Sequence, residues 1–296
     1  MIYYIQTHYH GGTMNKFLID DKKIDIMEED WDVLVILDAC RYDIFKQVYK
    51  EILKDCGELK KAISCATHTV EFLNKIFEDK YFDDVVYISA NAFPNSLGIP
   101  TGKTNLIMKD HVNKIIDVWN DGWNESLGTV HPEEVNKHSV VCMDIYSNKR
   151  FIIHYMQPHE PSIYLGGGNE YGGGIHFIKN RNITSDNIMG KFSHYLKRIF
   201  SDTAVWRVFG KLNMLPEKGT GWYWYKYGNE KMKEAYTEDV KLVLEYVKKL
   251  LIKYPMKKFI ITADHGQRLG EKGYYGHTSI TTRDKEIIEV PWLEIK

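Results

Sequence analysis

The chain has 296 residues, and its 39 basic and 40 acidic residues give a formal net charge of -1. Because these charges are intermixed, no positive field favours nucleic acid or an anionic membrane surface as a partner. The four cysteines show no C-x-x-C pair or disulfide-framework spacing, which indicates reduced thiols. The apolar stretch near the start is too short to span a bilayer, and no secretory signal pattern is visible. We therefore expect a cytoplasmic protein without membrane insertion.

Apolar runs alternate with helical patterns along most of the chain. The predicted strands cover residues 33–37, 61–66, 84–89, 151–155 and 259–262. The predicted helices cover residues 42–54, 70–77, 112–119, 132–146 and 230–254. Strands that alternate with helices of this length indicate parallel pairing with helices on both faces of the sheet. The predicted fold is therefore α/β, a three-layer α/β/α sandwich with a mostly parallel central sheet.

The periodic pattern is lost between the fourth predicted strand and the last helix. Residues 160–228 contain the segments GGGNEYGGG and GTGWYWYKYG. Long irregular segments of compact domains often act as lids, and the alternative is a surface excursion whose aromatic side chains pack on the domain. A stacking platform for single-stranded nucleic acid is disfavoured, because Lys226 is the only basic residue within the aromatic cluster. We expect a single domain over residues 1–296 with a lid or insertion at 160–228.

Two predicted strands from opposite ends of the chain each end in a carboxylate. Strand 33–37 is followed by Asp38, and strand 259–262 leads into Asp264 and His265. Ligands of α/β sheets bind just past the carboxyl ends of the strands, so these side chains are expected to converge. Carboxylate and imidazole groups are typical ligands of zinc, manganese or iron. The alternative roles are a helix cap for Asp38 and a turn cap for Asp264.

Three motifs resemble the alkaline phosphatase and sulfatase superfamily, in its sulfatase-like branch of metal hydrolases and phosphotransferases. They are LDACRYD near the start, HYMQPHEP in the middle, and TADHG with a later GH near the end. The resemblance implies that Asp38, Asp264 and His265 hold one metal ion. It also implies that His159 and His277 bind a second metal or the anionic group of the substrate.

The resemblance places a Thr, Ser or Cys-derived nucleophile at the start of the helix after the second strand. That region reads AISCATHTVEFL, residues 62–73. Thr67 lies at the expected junction, where a helix N-terminus favours negative charge and orients a phosphoryl group. Thr67 is therefore the preferred nucleophile and a ligand of the ion, with Thr69, Ser64 and Cys65 as alternatives. Both threonines have helix capping as their alternative role.

Departures from the superfamily pattern narrow the expected chemistry. The residues after Cys65 lack the Pro and Arg of the formylglycine motif, which disfavours sulfate-ester hydrolysis by that route. His265 stands where calcium-using relatives carry Asn, and imidazole is a poor calcium ligand, so Zn²⁺ or Mn²⁺ is favoured. Tyr155 stands where two-zinc relatives carry Asp. One ion is therefore expected and a second stays open, as does the role of His154 as a ligand or a core histidine.

The expected function is that of a metal-dependent hydrolase or transferase acting on a phosphodiester or phosphomonoester through a threonine nucleophile and a covalent intermediate. His159 and His277 are the residues expected to stabilise charge on the transferred group. Arg41 is a candidate for binding the substrate anion, with pairing to Asp43 as its alternative. The expected substrate is a small-molecule or glycan-linked anionic ester. The alternatives are a sulfatase-like protein acting on sulfate esters and a noncatalytic relative that binds a metal or an anionic glycan.

Overall fold

The structure, a computed structural model, describes residues 16–54, 57–168, 196, 199–277 and 283–296. Its strands are β1 (Phe17–Ile19), β2 (Lys22–Ile24), β3 (Val33–Leu37), β4 (Glu58–Ile63), β5 (Phe82–Ser89), β6 (Val112–Asp117), β7 (Trp123–Asn124), β8 (Thr129–Val130), β9 (Arg150–Tyr155), β10 (Phe259–Thr262), β11 (Arg268–Leu269), β12 (Tyr275–Gly276) and β13 (Glu289–Ile295). Its helices are α1 (Tyr42–Leu53), α2 (Thr69–Phe77), α3 (Val118–Asp121), α4 (Pro132–Ile145), α5 (Asp202–Lys211), α6 (Thr220–Lys253) and α7 (Lys285–Ile288).

Nine of these strands form one sheet, which within the described part of the chain has the order β2-β1-β4-β13-β10-β3-β9-β5-β6. The five strands from β10 to β6 are parallel to one another. Only β13 and β1 run against both of the strands beside them, so seven of the nine strands point the same way. The predicted α/β fold with a mostly parallel central sheet is confirmed.

Helices cover both faces of the sheet. On one face, α1 and α4 both pack against α6. The hydroxyl of Tyr155 on β9 donates to Asn136 of α4, so the side chain of Tyr155 points to the face that α4 covers. Tyr87 of β5 is in register with Ile152 of β9, whose side chain points the opposite way from that of Tyr155. The ring of Tyr87 packs on Phe77 of α2, so α2 lies on the second face.

The long helix α6 has the amphipathic pattern that the sequence predicts, but it begins ten residues earlier than expected. Its fully buried apolar residues recur at helical spacing: Val240, Val243, Leu244 and Val247. Each buried aliphatic side chain of this kind contributes roughly 1.5–3 kcal/mol to folding. The helix is kinked at Gly228, which has φ 77°. The aromatic segment predicted to be irregular therefore forms the first turns of α6, because a glycine permits the change of direction.

Two other predicted elements differ from the observed ones. Residues 112–119 form strand β6 and the start of α3, not a helix. The apolar side chains of this segment recur at helical spacing, which favoured a helix. Within the described part of the chain, β6 is an edge strand beside β5, and its buried and exposed positions do not follow the strict alternation that identifies a strand. Strand β4 begins three residues before the predicted strand. The lid stays a prediction, since residues 169–195 lie outside the described part of the chain.

Candidate metal centre

Three buried side chains of ligand type meet at the carboxyl ends of β3 and β10. Asp38 directly follows β3, and Asp264 and His265 follow its parallel neighbour β10 after one residue. All three residues are fully buried. One oxygen or nitrogen of each lies within 4.8 Å of the others. The register of the two strands thus brings together residues that are more than 220 positions apart in the sequence.

The atoms that these residues present to one another lack partners in the chain. Asp38 Oδ1 and Asp264 Oδ2 are buried, and neither has a hydrogen-bond donor among the described residues. His265 Nε2 lies 3.7 Å from the first oxygen and 3.4 Å from the second. His265 Nδ1 lies 2.8 Å from the carbonyl oxygen of Gly266, so it is the donor of that bond and Nε2 keeps its lone pair.

This donor set fits a divalent cation. Two carboxylate oxygens and one imidazole nitrogen are all electron-pair donors, and leaving such atoms buried without a partner is costly. A shared cation satisfies all of them at once. One imidazole with two carboxylates is a combination typical of zinc and related transition metals, whereas calcium sites are built from oxygen atoms alone.

Each metal-facing carboxylate is held in place through its other oxygen. Asp264 Oδ1 accepts bonds from the backbone N–H of Ala39 at 3.2 Å and of His265 at 3.0 Å. Asp38 Oδ2 accepts a bond from Asn91 Nδ2 at 2.7 Å. Because one oxygen of each carboxylate is tied to the chain, the remaining oxygen is aimed at the site.

Asn91 is a site residue that the sequence interpretation missed. It lies two residues past the end of β5, and it is 1% exposed. The backbone N–H of Phe93 donates to its side-chain oxygen at 2.9 Å, which orients the amide so that its nitrogen faces Asp38. A polar residue just past a predicted strand was the available signal, since β5 ends at the same edge of the sheet as β3.

His154 lies near the oxygen of Asp38 that does not face His265. Its Nε2 lies 3.7 Å from Asp38 Oδ2, and its Nδ1 lies 2.9 Å from the hydroxyl of Tyr87. This position supports the carboxylate from the side away from His265. Burial by itself raises the pKa of Asp38, but the nearby His159, His154 and His265 outweigh burial and hold that pKa below its ordinary value.

A strained turn directs Asp38 into the site. The next residue, Ala39, has φ 60°, a left-handed conformation that is uncommon for a residue with a Cβ atom. Tyr236 of α6 holds the turn, because its hydroxyl donates to the carbonyl of Ala39 at 2.7 Å and accepts from the N–H of Arg41 at 2.9 Å. The long helix is thereby tied to the metal carboxylate.

The glycine of the TADHG motif is required by a close backbone contact. A Cβ atom on Gly266 would lie 2.4 Å from the carbonyl oxygen of Glu286 in α7. The N–H of Gly266 donates to the carbonyl of Ile287 at 2.6 Å. The tight approach of α7 thus fixes the segment that carries Asp264 and His265.

Arg41 is engaged inside the protein. Its guanidinium donates to Asp43 at 2.7 Å, to Glu271 at 2.6 Å and to the carbonyl of Gln267 at 3.3 Å. The residue is buried. The contacts thus show the alternative pairing with Asp43, and binding of a substrate anion by Arg41 stays a prediction that they do not favour.

The two candidate threonines have different surroundings. The hydroxyl of Thr67 donates to Glu71 at 3.0 Å, and its N–H donates to the same carboxylate at 2.8 Å. Thr69 is the first residue of α2, and its hydroxyl lies 3.5 Å from His265 Nε2. Only Thr69 therefore has its hydroxyl beside the metal-facing atoms.

Of the other two nucleophile candidates, Ser64 is hydrogen-bonded to the backbone and Cys65 is an unreactive thiol. Ser64 Oγ donates to the carbonyl of Asp264 at 2.5 Å, which links the loop after β4 to the metal segment. Burial raises the pKa of the Cys65 thiol to about 12. A thiol of that acidity is protonated near neutral pH, and the protonated form is a poor nucleophile.

His159 and His277 form a pair at the open side of the site. Their Nε2 atoms are 3.2 Å apart, and the ring centroids of His277 and His265 are 4.3 Å apart. His159 Nδ1 lies 2.7 Å from the carbonyl of Glu160 and is therefore a donor. Burial tends to lower the pKa of His159, but Asp38, Glu160 and Asp264 together outweigh burial and raise it. Burial and the neighbouring imidazoles His265 and His159 lower the pKa of His277.

The loop that follows His159 is anchored to α6. Thr220 Oγ1 donates to Glu160 at 2.5 Å, and Asp239 Oδ1 accepts the N–H of Tyr164 at 3.0 Å. Asp239 is 1% exposed. Burial raises the pKa of its carboxyl to about 7.

We expect Asp239→Asn to remove a pH-dependent loss of stability. The carboxyl of the unfolded chain ionises near pH 4, whereas the folded one stays protonated up to about pH 7, so the parent protein loses stability between these values. The loss is at most roughly 4 kcal/mol, and asparagine mimics the protonated form. Between about pH 5 and about pH 7, the free energy of unfolding of the parent protein should fall relative to that of Asp239→Asn, and above about pH 7 the difference should stay constant. Urea unfolding of both proteins from about pH 5 to about pH 8 measures this difference. Equal pH dependence in the two proteins would contradict the assigned shift.

Comparisons with known proteins identify the fold. No protein-family model matches the chain, and no curated protein matches it in sequence. The integral membrane protein lipooligosaccharide phosphoethanolamine transferase A from Neisseria meningitidis is 13% identical, with a TM-score of 0.52, over 95% of this chain and 50% of that one. The soluble domain of the same protein is 14% identical, with a TM-score of 0.50, over 89% and 76%. A zinc complex of the C-terminal periplasmic domain of EcEptC from Escherichia coli is 13% identical, with a TM-score of 0.48, over 95% and 75%.

The predicted cytoplasmic location is wrong in the light of these comparisons. One similar structure is an integral membrane protein, of which this chain spans half the length. None of the helices in the described ranges is long and apolar enough to cross a membrane. The spacing of cysteines does not by itself determine the compartment of a protein.

The shared fold agrees with the motifs. The similar structures are members of the alkaline phosphatase and sulfatase superfamily. Their similarity extends over nearly the whole chain, and the central sheet is mixed and mostly parallel as in that superfamily. The chain therefore has the fold of the alkaline phosphatase and sulfatase superfamily, and the resemblance indicated by its motifs is confirmed.

Proposed function

We propose that this protein is a metal-dependent enzyme that transfers or hydrolyses a phosphate ester, with Thr69 as its nucleophile. The observation that supports this most directly is the position of the Thr69 hydroxyl, 3.5 Å from the imidazole nitrogen that faces two unpartnered carboxylate oxygens. Two solved structures with the same fold are named as a phosphoethanolamine transferase. A phosphoryl group is therefore the favoured group for transfer.

Asp38, Asp264 and His265 are the residues that would hold the ion, with the Thr69 hydroxyl beside them. When bound, a zinc-like ion lowers the pKa of a neighbouring hydroxyl and withdraws charge from a phosphoryl oxygen. The chain itself fixes the ligands: Asn91 and the backbone of Ala39 each bind a carboxylate oxygen that does not face the site. This fixed arrangement spares the site from reorganising during the reaction.

Thr69 is placed to attack phosphorus at the start of α2. The bond from Thr69 Oγ to phosphorus forms as the bond from phosphorus to the leaving ester oxygen breaks, and the hydroxyl proton is released to solvent. The dipole of a helix N-terminus favours the negative charge of the phosphoryl group. Water or an alcohol acceptor then attacks phosphorus and restores the Thr69 hydroxyl.

His159 is the residue that we assign to proton donation. Its Nδ1 keeps one N–H on the carbonyl of Glu160, so the imidazolium form presents its second N–H at Nε2. That second proton is the one available for the leaving oxygen. His277, whose pKa is lowered, accepts a hydrogen bond from His159 in the free enzyme and can turn to the transferred group when substrate enters.

We propose a small-molecule or glycan-linked anionic ester as the substrate. Sulfate-ester cleavage is disfavoured, because Cys65 is buried with a raised thiol pKa and lacks the neighbours of a formylglycine motif. Tyr155, at the position where two-zinc relatives carry a carboxylate, is buried and bonds to Asn136 instead. We therefore propose that the site holds a single ion, with Asp38, Asp264 and His265 as its ligands.

The test is hydrolysis of an aryl phosphate diester and monoester by protein first stripped with a chelator and then supplied with zinc or manganese. We expect turnover only after metal is restored. Acid quenching during turnover should reveal a mass increase of one phosphoryl group with the monoester, or of one aryl-phosphoryl group with the diester. Stoichiometric zinc binding without turnover of any phosphate ester would contradict catalysis. That result would favour a noncatalytic metal-binding relative.

A further inference from the structure

Exposed large apolar side chains are concentrated in one short stretch of this protein. Of the fourteen found among the described residues, seven lie between residues 199 and 227, and they include Val208, Leu212, Met214 and Tyr225. The stretch comprises α5, the following turn and the start of α6, which we call the α5–α6 face. Single exposed apolar residues are ordinary, whereas a group carried by two helices that pack together, with Tyr225 against Gly210, is a candidate binding surface.

Helix α5 has apolar residues on its buried side and exposes further apolar residues at its flank and end. Its inner side is formed by buried residues, namely Val205, Trp206 and Phe209. Its outer side exposes Val208, and Leu212 lies just beyond its last turn, each more than half accessible. A surface helix of a globular domain normally exposes polar residues there. The exposed side of α5 therefore combines apolar side chains with the cations Arg207 and Lys211.

Cationic side chains surround these apolar residues. The exposed cations of the face are Arg207, Lys211, Lys218 and Lys226. The stretch 199–228 contains only two acids, and one of them, Asp202, is buried. This local excess of positive charge contrasts with the net charge of -1 for the whole chain.

Aromatic rings complete the composition of a membrane interface. The Lys226 ammonium lies 4.5 Å from the ring centroid of Trp222 and 5.1 Å from that of Tyr227. Tyr225 is 45% exposed. Trp and Tyr with Lys and Arg around aliphatic side chains are typical of helices that lie in the headgroup region of an anionic bilayer.

The face is firmly joined to the loops of the metal centre. The ring of Tyr275, two residues before His277, packs on Trp206 with centroids 5.2 Å apart, and its N–H donates to Asp202 at 3.0 Å. On the other side, Thr220 bonds to Glu160, which follows His159. A surface bound by the face is therefore held beside both histidine loops.

We propose that the α5–α6 face docks this protein peripherally on an anionic lipid surface. The cations supply attraction to the headgroups, and the exposed aliphatic and aromatic side chains enter the headgroup region without crossing the bilayer. This inference goes beyond the proposed function and does not depend on it, since docking requires neither metal nor turnover.

The test is sedimentation of the protein with vesicles of phosphatidylcholine alone or with added phosphatidylglycerol. We expect binding to the anionic vesicles only, and weaker binding at high salt. Lys211→Glu with Lys226→Glu should weaken binding by at least about tenfold, as each cation near the surface contributes about fivefold in affinity. Val208→Ser with Leu212→Ser should also weaken it.

Matched controls lie at the other end of α6. Ile252 is 70% exposed and Met256, just beyond the helix, is 92% exposed. Ile252→Ser with Met256→Ser removes at least as much exposed apolar surface as Val208→Ser with Leu212→Ser does. Because these two residues lie outside the α5–α6 face, vesicle binding should not change. Thermal unfolding checks that all variants are folded, and hydrolysis of a soluble ester should be equal in all of them, which separates this test from that of the proposed function.

Three results would overturn docking on lipid. The first is equal vesicle binding by the face variants and the control variant. The second is self-association, measured by light scattering, that is lost in Val208→Ser with Leu212→Ser while vesicles are not bound. The third is tight binding of a single-stranded oligonucleotide by a protein that ignores anionic vesicles.

Discussion

Thr69→Ala is expected to abolish turnover of an aryl phosphate ester, whereas Thr67→Ala should retain most of it. The Thr69 hydroxyl is beside the metal-facing atoms, while that of Thr67 is bonded to Glu71. Loss of the nucleophile should lower kcat by at least about a thousandfold. Loss of the Thr67 hydroxyl should cost about 1 kcal/mol of stability and change kcat by less than about tenfold.

The measurement pairs steady-state kinetics with intact-protein mass in both variants and the parent. The phosphoryl adduct should form in the parent protein and in Thr67→Ala, and it should be absent from Thr69→Ala. The reverse pattern would restore Thr67 as the nucleophile. Thr69→Ser provides a matched variant that keeps the hydroxyl, and it should retain measurable turnover.

Asp264→Asn is expected to abolish tight zinc binding and yet to stabilise the metal-free protein. In the absence of metal, Asp264 Oδ2 is buried without a donor, 3.4 Å from His265 Nε2. An amide nitrogen at this place can donate to that imidazole, while the amide oxygen still accepts from Ala39 and His265. Giving a buried, unsatisfied polar atom a hydrogen-bond partner generally stabilises a protein by about 1–3 kcal/mol.

Thermal unfolding after chelation, with and without added zinc, tests this expectation. Zinc at about one hundred times its Kd should stabilise the parent protein by about 2.7 kcal/mol and leave Asp264→Asn unchanged. The same zinc concentration should stabilise Asn91→Ala by an intermediate amount, because losing a residue that orients a metal ligand costs about 10–100-fold in metal affinity. Unaltered zinc affinity in Asp264→Asn would show that the ion, if bound, uses other ligands.

The edge of the sheet at which the ligands meet could be predicted from the sequence. The segments VLVIL and FIIT are continuous apolar runs, and such runs form strands that are buried on both faces. Each is followed closely by a carboxylate, and parallel neighbours place their carboxyl ends together. Convergence of Asp38 with Asp264 and His265 follows from these facts alone.

The choice between Thr67 and Thr69 could not be predicted in this way. Both residues lie within one turn of the start of α2, and both hydroxyls can cap a helix. The bond of Thr67 to Glu71 and the packing of α2 on the sheet decide which hydroxyl reaches His265. Thr67 precedes the N-cap His68 and Thr69 is the first helical residue, and no local pattern records which of the two hydroxyls faces a distant strand.

The sequence by itself determined the buried strands, the acids at their ends and the helical period of α6, because these depend on neighbouring residues. The tertiary structure decided what depends on residues far apart in the chain: the bond from Asn91 to Asp38, the engagement of Arg41 with Glu271, and the pairing of β6 at the edge of the sheet. It also decided where charge accumulates. A net charge of -1 conceals the cationic and apolar α5–α6 face, since a sum over the chain carries no information about which side chains share a surface.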